Sequence, residues 1–324
     1  MDLHFKGLPQ LLKRFPDHES AREYLEQKIW GGTPFCPFCK CDKWYKLGKE
    51  GQYKCGNKEC HKKYTVTVGT IFHGSHIPLN IWFCAMYIAS SHKKGISSHQ
   101  LAKDLNLTQK SAWFMLHRIR EMVRDKKEEK LSGIVEVDET YMARKFHSEL
   151  KPQNFDYTPS WPNIKEKGCV FGMAQREGKV RIKVFESNNA EKLRASIKKH
   201  VKKHSWLITD GSNIYNQGLD GYKREFVIHS TKEYVKGDIY TNNIENFWGL
   251  MKRGIYGIYH QVSYKHLQRY CDEFSFRYNS RKIPDNVRFE LSLSDIQTRL
   301  TYFQLIKNGY KEEEPYQEEK SEWD

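Results

Sequence analysis

Gly133-Ile134-Val135-Glu136-Val137-Asp138-Glu139-Thr140-Tyr141 decides how the rest of the chain is read. Val135 and Val137 alternate with acids, the period-2 pattern of a strand that buries one face. Asp138 therefore sits in a strand whose valines go inward, where a carboxylate is costly unless paired, protonated or bound to a cation. The lysine- and glutamate-rich run Asp125–Lys130 before it reads as a solvated boundary. After it, Lys145–Lys167 is a polar stretch containing Pro and Asn, and reads as a loop.

Further on, Cys169–Gln175 and Val180–Phe185 predict a hairpin around Glu177-Gly178. Ala190–His204 predicts a helix, with Leu193, Ile197 and Val201 at spacing four. Trp206–Thr209 predicts a short buried strand running into Asp210-Gly211, Phe226–His229 another strand, and Asn242–Arg253 and Ser263–Asn279 helices. Three strands, a helix, two further strands and closing helices is the element order of an RNase H-like α/β fold, a mixed sheet with flanking helices.

Three carboxylates stand out in this frame: Asp138, Asp210 at the end of an apolar strand, and Glu245 in Asn242-Asn243-Ile244-Glu245-Asn246-Phe247-Trp248. On neighbouring elements they could hold two divalent ions ~3.5–4 Å apart, the clamp used in phosphodiester chemistry. An oxygen-only site suits Mg²⁺, with Mn²⁺ as an alternative. Glu136 and Glu139 could replace Asp138 if the strand register slipped, and Asp210 before a glycine could be a plain turn former. Lys252 lies two helical turns beyond Glu245 on the same face, placed either to meet a phosphate or to be solvated.

Ahead of the strand the chain is organised differently. Residues 10–30 predict one helix, with Ser20 as a possible cap, and Gly31-Gly32-Thr33-Pro34 breaks it. Five of the eight cysteines lie between Cys36 and Cys60. Cys36-x2-Cys39 and Cys55-x4-Cys60 form two knuckles able to place four thiolates around one structural Zn²⁺ at ~2.3 Å. Cys41 or His61 could replace a neighbour in that set, and the plain alternative is free buried cysteines. Residues 62–72 alternate like a strand, and 78–92 and 97–127 predict helices. Within the latter, one helix ends near Leu105 and Thr108 caps a second, the pattern of a helix-turn-helix. Gln109 and Lys110 then stand exposed at the start of the second helix, where bases and phosphates are contacted, while Trp113, Leu116 and Ile119 pack inward. An ordinary helical hairpin would show the same pattern.

The 324 residues include 54 Lys and Arg against 40 Asp and Glu, a net charge of +14. The segment Lys311–Asp324 holds seven acids and two lysines, so the remainder is more basic still. That balance favours a polyanionic partner, nucleic acid ahead of an anionic membrane. Ile77–Ala89, the most apolar stretch, contains Pro78 and Asn80 and falls short of the ~20 residues that span a bilayer. Met1–Arg14 lacks the apolar core of a secretory signal. Clustered cysteines without an export signal point to metal ligands in a reducing cytoplasm. The expected layout is an N-terminal helical segment (1–34), a zinc ribbon (35–72), a helix-turn-helix domain (73–130), a catalytic domain (131–290), and a C-terminal helix with an acidic tail (291–324).

Assembled, these motifs resemble the DDE transposases of bacterial insertion sequences, in the branch with an N-terminal zinc ribbon and an ISXO-like transposase domain, to which eukaryotic Merlin elements are related. The resemblance spans roughly residues 10–285. It rests on Cys36-Pro37-Phe38-Cys39, Gly69-Thr70-Ile71-Phe72, Val137-Asp138-Glu139-Thr140-Tyr141, Val170-Phe171-Gly172-Met173, Thr209-Asp210-Gly211, Asn243-Ile244-Glu245-Asn246-Phe247-Trp248 with Lys252-Arg253, and Tyr270–Asn279. It implies that Asp138, Asp210 and Glu245 are a catalytic metal-binding triad on an RNase H-like core. It also implies binding to the terminal inverted repeats of a mobile element and to target DNA, Lys252 and Arg253 contacting DNA, and work as a homodimer or larger assembly in the bacterial cytoplasm, at the nucleoid. End cleavage followed by joining of the 3′-hydroxyl is the activity expected. A metal-dependent endonuclease without strand transfer and a transposase-derived DNA-binding protein are the alternatives. Met142-Ala143-Arg144-Lys145 departs from the glycine-containing basic stretch expected after the aspartate motif.

Overall fold

Pro16 splits the first helical stretch. The computed structural model describes residues 5–126, 129–144, 167–227, 237 and 239–307. In it the single helix expected over 10–30 is two, α1 (Leu8–Arg14) and α2 (His18–Trp30). A proline cannot donate to the helix ladder and pushes the residue before it out of helical backbone. Asp17, not Ser20, caps α2: its carboxylate accepts from the Ser20 backbone N–H at 2.8 Å. Gly31, at φ 60°, closes the helix in the left-handed conformation.

The ribbon is a small antiparallel sheet in the order β1 (Trp44–Lys46), β2 (Tyr53–Cys55), β3 (Lys63–Tyr64). The strand expected over 62–72 is only these last two residues. Beyond them the chain turns, with the Thr70 hydroxyl donating to the Thr67 carbonyl at 2.7 Å and Gly69 at φ 77°. Side-chain bonds to nearby backbone compete with ladder pairing, and the buried residues Val66, Ile71 and Phe72 mimic the strand pattern from a series of turns. Helices α3 (Leu79–Ser91), α4 (Ser98–Asp104) and α5 (Gln109–Met122) follow. Ser97 caps α4, accepting from Gln100 N–H at 3.1 Å, and Thr108 caps α5, accepting from Ser111 N–H at 3.2 Å. Leu116 and Ile119 are buried, while Trp113 is half-buried against His117, ring centroids 4.5 Å apart. One apolar core runs through α1–α5 and the ribbon and takes in Phe289, Leu293 and Ile296 from near the other end of the chain.

The larger sheet has the order β6-β5-β4-β7-β8. β4 (Ile134–Arg144), β5 (Lys167–Gln175) and β6 (Val180–Phe185) are antiparallel. β7 (Trp206–Asp210) joins the other edge of β4 in parallel, and β8 (Lys223–Val227) joins β7 in parallel. This is the RNase H-like arrangement. α6 (Ala190–His200) covers one face, packing on Val135, Val137 and Phe171. α7 (Asn242–Gly254) and α8 (Tyr264–Asn279) cover the other, with Met142, Val170 and Ala174. α6 ends four residues earlier than its apolar spacing predicts, because Val201 leaves the helix to bridge Leu131 in parallel. β8 lies earlier than the strand expected at Phe226–His229: pairing runs from Lys223 opposite Trp206 to Val227 opposite Asp210. Residues 228–229 lie outside the described residues, as do most of the expected loop (145–166) and the acidic tail.

The two halves meet where α5 packs on α8. Arg120 Nε bonds Glu273 at 2.5 Å, the Tyr259 hydroxyl donates to the same carboxylate at 2.7 Å, and Arg277 completes the set. The Arg120 guanidinium also lies 3.9 Å from the centre of the Tyr270 ring. α9 (Asp285–Ser292) then returns to α3, and α10 (Tyr302–Lys307) lies against α5, where Tyr302 meets Phe114 edge-on at 5.5 Å.

Candidate functional site

Strand alternation sorts the acids of β4. Val135 and Val137 face α6, so Glu136 and Asp138 face α7. The parallel pairing of β4 with β7 runs to Val137 opposite Thr209, which leaves Asp138 and Asp210 side by side one step further on. Glu245 stands in the first turn of α7, the helix that packs on this face of the sheet. Asp138 is opposite Gly172 on β5. A Cβ at Gly172 would lie 2.6 Å from the Trp248 ring and 2.7 Å from Ile244, so only glycine admits α7 this close. That approach lets the Trp248 indole N–H donate to Asp138 Oδ2 at 2.9 Å.

Each carboxylate is held separately. Asp210 Oδ1 accepts from the Ser212 backbone N–H at 3.1 Å, and the Thr241 hydroxyl donates to Glu245 Oε1 at 2.7 Å. Burial, with the charges of Asp210 and Glu245 added, pushes the Asp138 carboxyl up to about 6 against the opposing Trp248 bond. Asp210 and Glu245 are therefore both within electrostatic reach of Asp138.

Glu136 and Glu139 have other settings. Glu139 points to the α6 side, where the Tyr215 hydroxyl donates to it and Asn188 lies at 3.5 Å. Burial first, then the charges of Asp210 and Asp138, raise it to about 7. Glu136 shares a face with Asp138 but is wholly buried against the start of α7 and Arg176. Lys252 and Arg253 are exposed in the last turn of α7. Sequence reading missed Trp248 and the space at Gly172. A tryptophan three residues after an acid on one helix was the available signal.

In the ribbon, the sulfurs of Cys36, Cys39, Cys55 and Cys60 all lie within 4.8 Å of one another. Cys39 and Cys55 are 3.5 Å apart, and Cys36 and Cys60 3.8 Å. Tetrahedral thiolates at ~2.3 Å from zinc would be spaced about 3.8 Å, so the donor set fits that ion. Cys41 stands aside, its sulfur accepting from Lys43 N–H at 3.4 Å. At the start of α5, Gln109 and Lys110 are both exposed. The Gln109 amide donates to Ser98 at 2.9 Å, and Lys110 Nζ lies 5.1 Å over the Tyr302 ring of α10.

Residues 130–279, from just before β4 to the end of α8, match the family model for an ISXO2-like transposase domain, and residues 16–63 match that for a transposase zinc-ribbon domain. The chain belongs to the ISXO2-like transposases. The ribbon match begins two residues before α2, so in this transposase it takes in the helix that shares a core with the cysteine knuckles. Over 277 residues the chain is 24% identical to an uncharacterized protein in transposable element ISH50 of Halobacterium salinarum, covering 82% of this chain and 92% of the relative. Solved structures of Mos1 assemblies are similar at a lower level. The strand transfer complex matches at 14% identity over 63% of this chain and 75% of that one, TM-score 0.28. The mariner Mos1 paired end complex with Mg matches at 14% identity over the same shares, 63% and 75%, TM-score 0.27. Among the described residues, no helix is long and apolar enough to cross a membrane.

Proposed function

We propose that the chain binds the terminal inverted repeats of an insertion sequence, cuts each end to free a 3′-hydroxyl, and joins that hydroxyl to target DNA. One observation carries this reading: Asp138, Asp210 and Glu245, from two parallel strands and the first turn of a helix, converge closely enough for their charges to act on Asp138. Like charges held this close favour a shared cation, and an oxygen-only donor set suits Mg²⁺ or Mn²⁺. Two such ions, when bound, would activate the attacking oxygen and stabilise the leaving one.

The chain's own residues orient the site. Trp248 holds Asp138, the Ser212 backbone holds Asp210, and the Thr241 hydroxyl holds Glu245, so each carboxylate is set before DNA arrives. In cleavage, a water oxygen attacks the phosphorus and the bridging oxygen leaves as the new 3′-hydroxyl. In joining, that hydroxyl attacks a target phosphodiester, whose own 3′-oxygen leaves. Lys252 and Arg253 contact phosphates flanking the scissile bond. Gln109 and Lys110 read the terminal repeat, with the net charge of +14 supplying the phosphate attraction. Cys36, Cys39, Cys55 and Cys60 hold one structural Zn²⁺. The protein acts as a homodimer or larger assembly at the bacterial nucleoid.

The test is a gel assay of end cleavage and strand transfer with Mg²⁺ for Asp138→Asn, Asp210→Asn and Glu245→Gln. Loss of both steps with end binding retained is expected. Wild-type activity in any of the three would overturn the triad. A wild-type protein that cuts but never joins would reduce the function to that of an endonuclease.

A further inference from the structure

We propose that Glu136 is a positioning residue, a buried carboxylate that docks the start of α7 onto β4 and thereby sets where Glu245 stands relative to Asp138. The inference rests on the triad reading. Glu136 is fully buried, and three of the four bonds its side chain accepts come from the start of α7. Its Oε2 accepts the backbone N–H groups of Asn243 at 2.8 Å and Ile244 at 3.1 Å. Its Oε1 accepts from the Asn243 side-chain amide at 2.7 Å and from Arg176 Nε at 3.0 Å.

The first turn of a helix carries unpaired N–H groups and a positive dipole end, both satisfied by an anion. Residues beside a helix usually supply that cap. Thr241, the residue in the capping position of α7, makes no capping bond, and its hydroxyl goes to Glu245 instead. A strand residue 107 positions earlier supplies the anion. Arg176 closes the clamp from the other side, stacking 3.6 Å from the Tyr240 ring centre and donating to the Tyr240 carbonyl at 3.1 Å. The buried charge is thereby matched by four donated bonds, one of them from a guanidinium.

The clamp lies two positions before each acid it would align. Glu136 precedes Asp138 by two on the same strand face, and Asn243 precedes Glu245 by two on α7. A shift of α7 along β4 would move Glu245 away from Asp138 without disturbing the sheet itself.

Glu136→Gln replaces one acceptor by an NH₂ that faces donors. Two measurements on the zinc-loaded, DNA-free protein read the effect: amide hydrogen exchange, and Mn²⁺ binding followed by loss of the free-ion electron paramagnetic resonance signal. Exchange at Asn243 and Ile244 is expected to quicken while β4 and β5 stay protected, and Mn²⁺ affinity to fall about tenfold or more, the scale of loss for partners that orient metal ligands. Unchanged exchange at α7, or wild-type Mn²⁺ affinity, would overturn the proposal. Asp138→Asn is the control: if it binds Mn²⁺ like wild type, the triad reading fails, and exchange at α7 still decides whether Glu136 docks the helix. Should Glu136→Gln not fold, Asn243→Ala removes a single bond of the clamp and should shift both readouts in the same direction, less far. Wild-type values for both in that variant would overturn the proposal.

Discussion

Glu273 and Asp138 are both carboxylates set between packed elements, and their surroundings drive them in opposite directions. Glu273 sits between α5 and α8 with Arg120 at 2.5 Å, Arg277 and the Tyr259 hydroxyl. Burial works against its charge, yet the two guanidiniums hold it down to about 2. Asp138 has neutral donors instead, Trp248 at 2.9 Å and the Glu139 backbone N–H, and two further acids as neighbours. Burial and those charges push it up to about 6. The first arrangement is complete within the chain and joins the helical half to the sheet. The second carries an electrostatic cost that a cation from outside would relieve.

The largest expected effect breaks the second arrangement. Any one of Asp138→Asn, Asp210→Asn or Glu245→Gln should take cleavage and joining below detection, and a double variant should be no worse than a single one, because all disable one unit. In metal-free protein these changes should leave stability equal or higher, which denaturant titration would show. A large loss of stability on Asp138→Asn would mean that this acid is structural, like Glu273.

Glu273→Gln should do the reverse, costing about 3–5 kcal/mol by leaving two buried arginines without their anion. The pH dependences should oppose one another as well. Glu273 is lowered from 4.5, so its contribution is complete above 4.5 and is lost as pH falls toward about 2. Asp138 is raised from 3.8, so the stability linked to its protonated form is present below 3.8 and is lost as pH rises through about 6. The gap between wild type and Glu273→Gln should therefore close in acid. The gain from Asp138→Asn should appear between pH 4 and 6. Parallel profiles for the two variants would erase the contrast.

The cysteine cluster combines features of both regions, since like charges gather there but in a geometry that one ion satisfies. About one zinc per chain is expected by elemental analysis. Chelation should unfold the ribbon and loosen α2, which shares its core. Zinc-free protein with an intact ribbon would count against it. The smallest effect concerns the start of α5. Gln109→Ala with Lys110→Ala should weaken preference for the terminal repeat and flatten the salt dependence by about one charge, measured as affinity against ionic strength. Unchanged preference would assign that helix start to its contacts with Ser98 and Tyr302.

The sequence by itself determined what short-range rules govern. The two cysteine knuckles, the cap at Thr108, the valine alternation around Asp138 and the strand-end Asp210 each follow from spacing or from a side chain bonding nearby backbone. The order of elements implied an RNase H-like sheet for the same reason. Where the sequence misled, the cause was a distant partner in one place and local competition in two others. Val201 left its helix for Leu131, whereas the run after Tyr64 was taken into turns by short-range bonds such as that from Thr70 to Thr67. The cap expected at Ser20 fell to Asp17 once Pro16 had divided the helix. Only the tertiary structure decided which acids meet. Register one residue either way separates Asp138, facing α7, from Glu139, facing Tyr215. Glu136 reaches α7 only because the sheet brings together residues more than a hundred positions apart. A charge at such a distance in sequence leaves no local pattern, since its partners are fixed by the packing of helix on sheet.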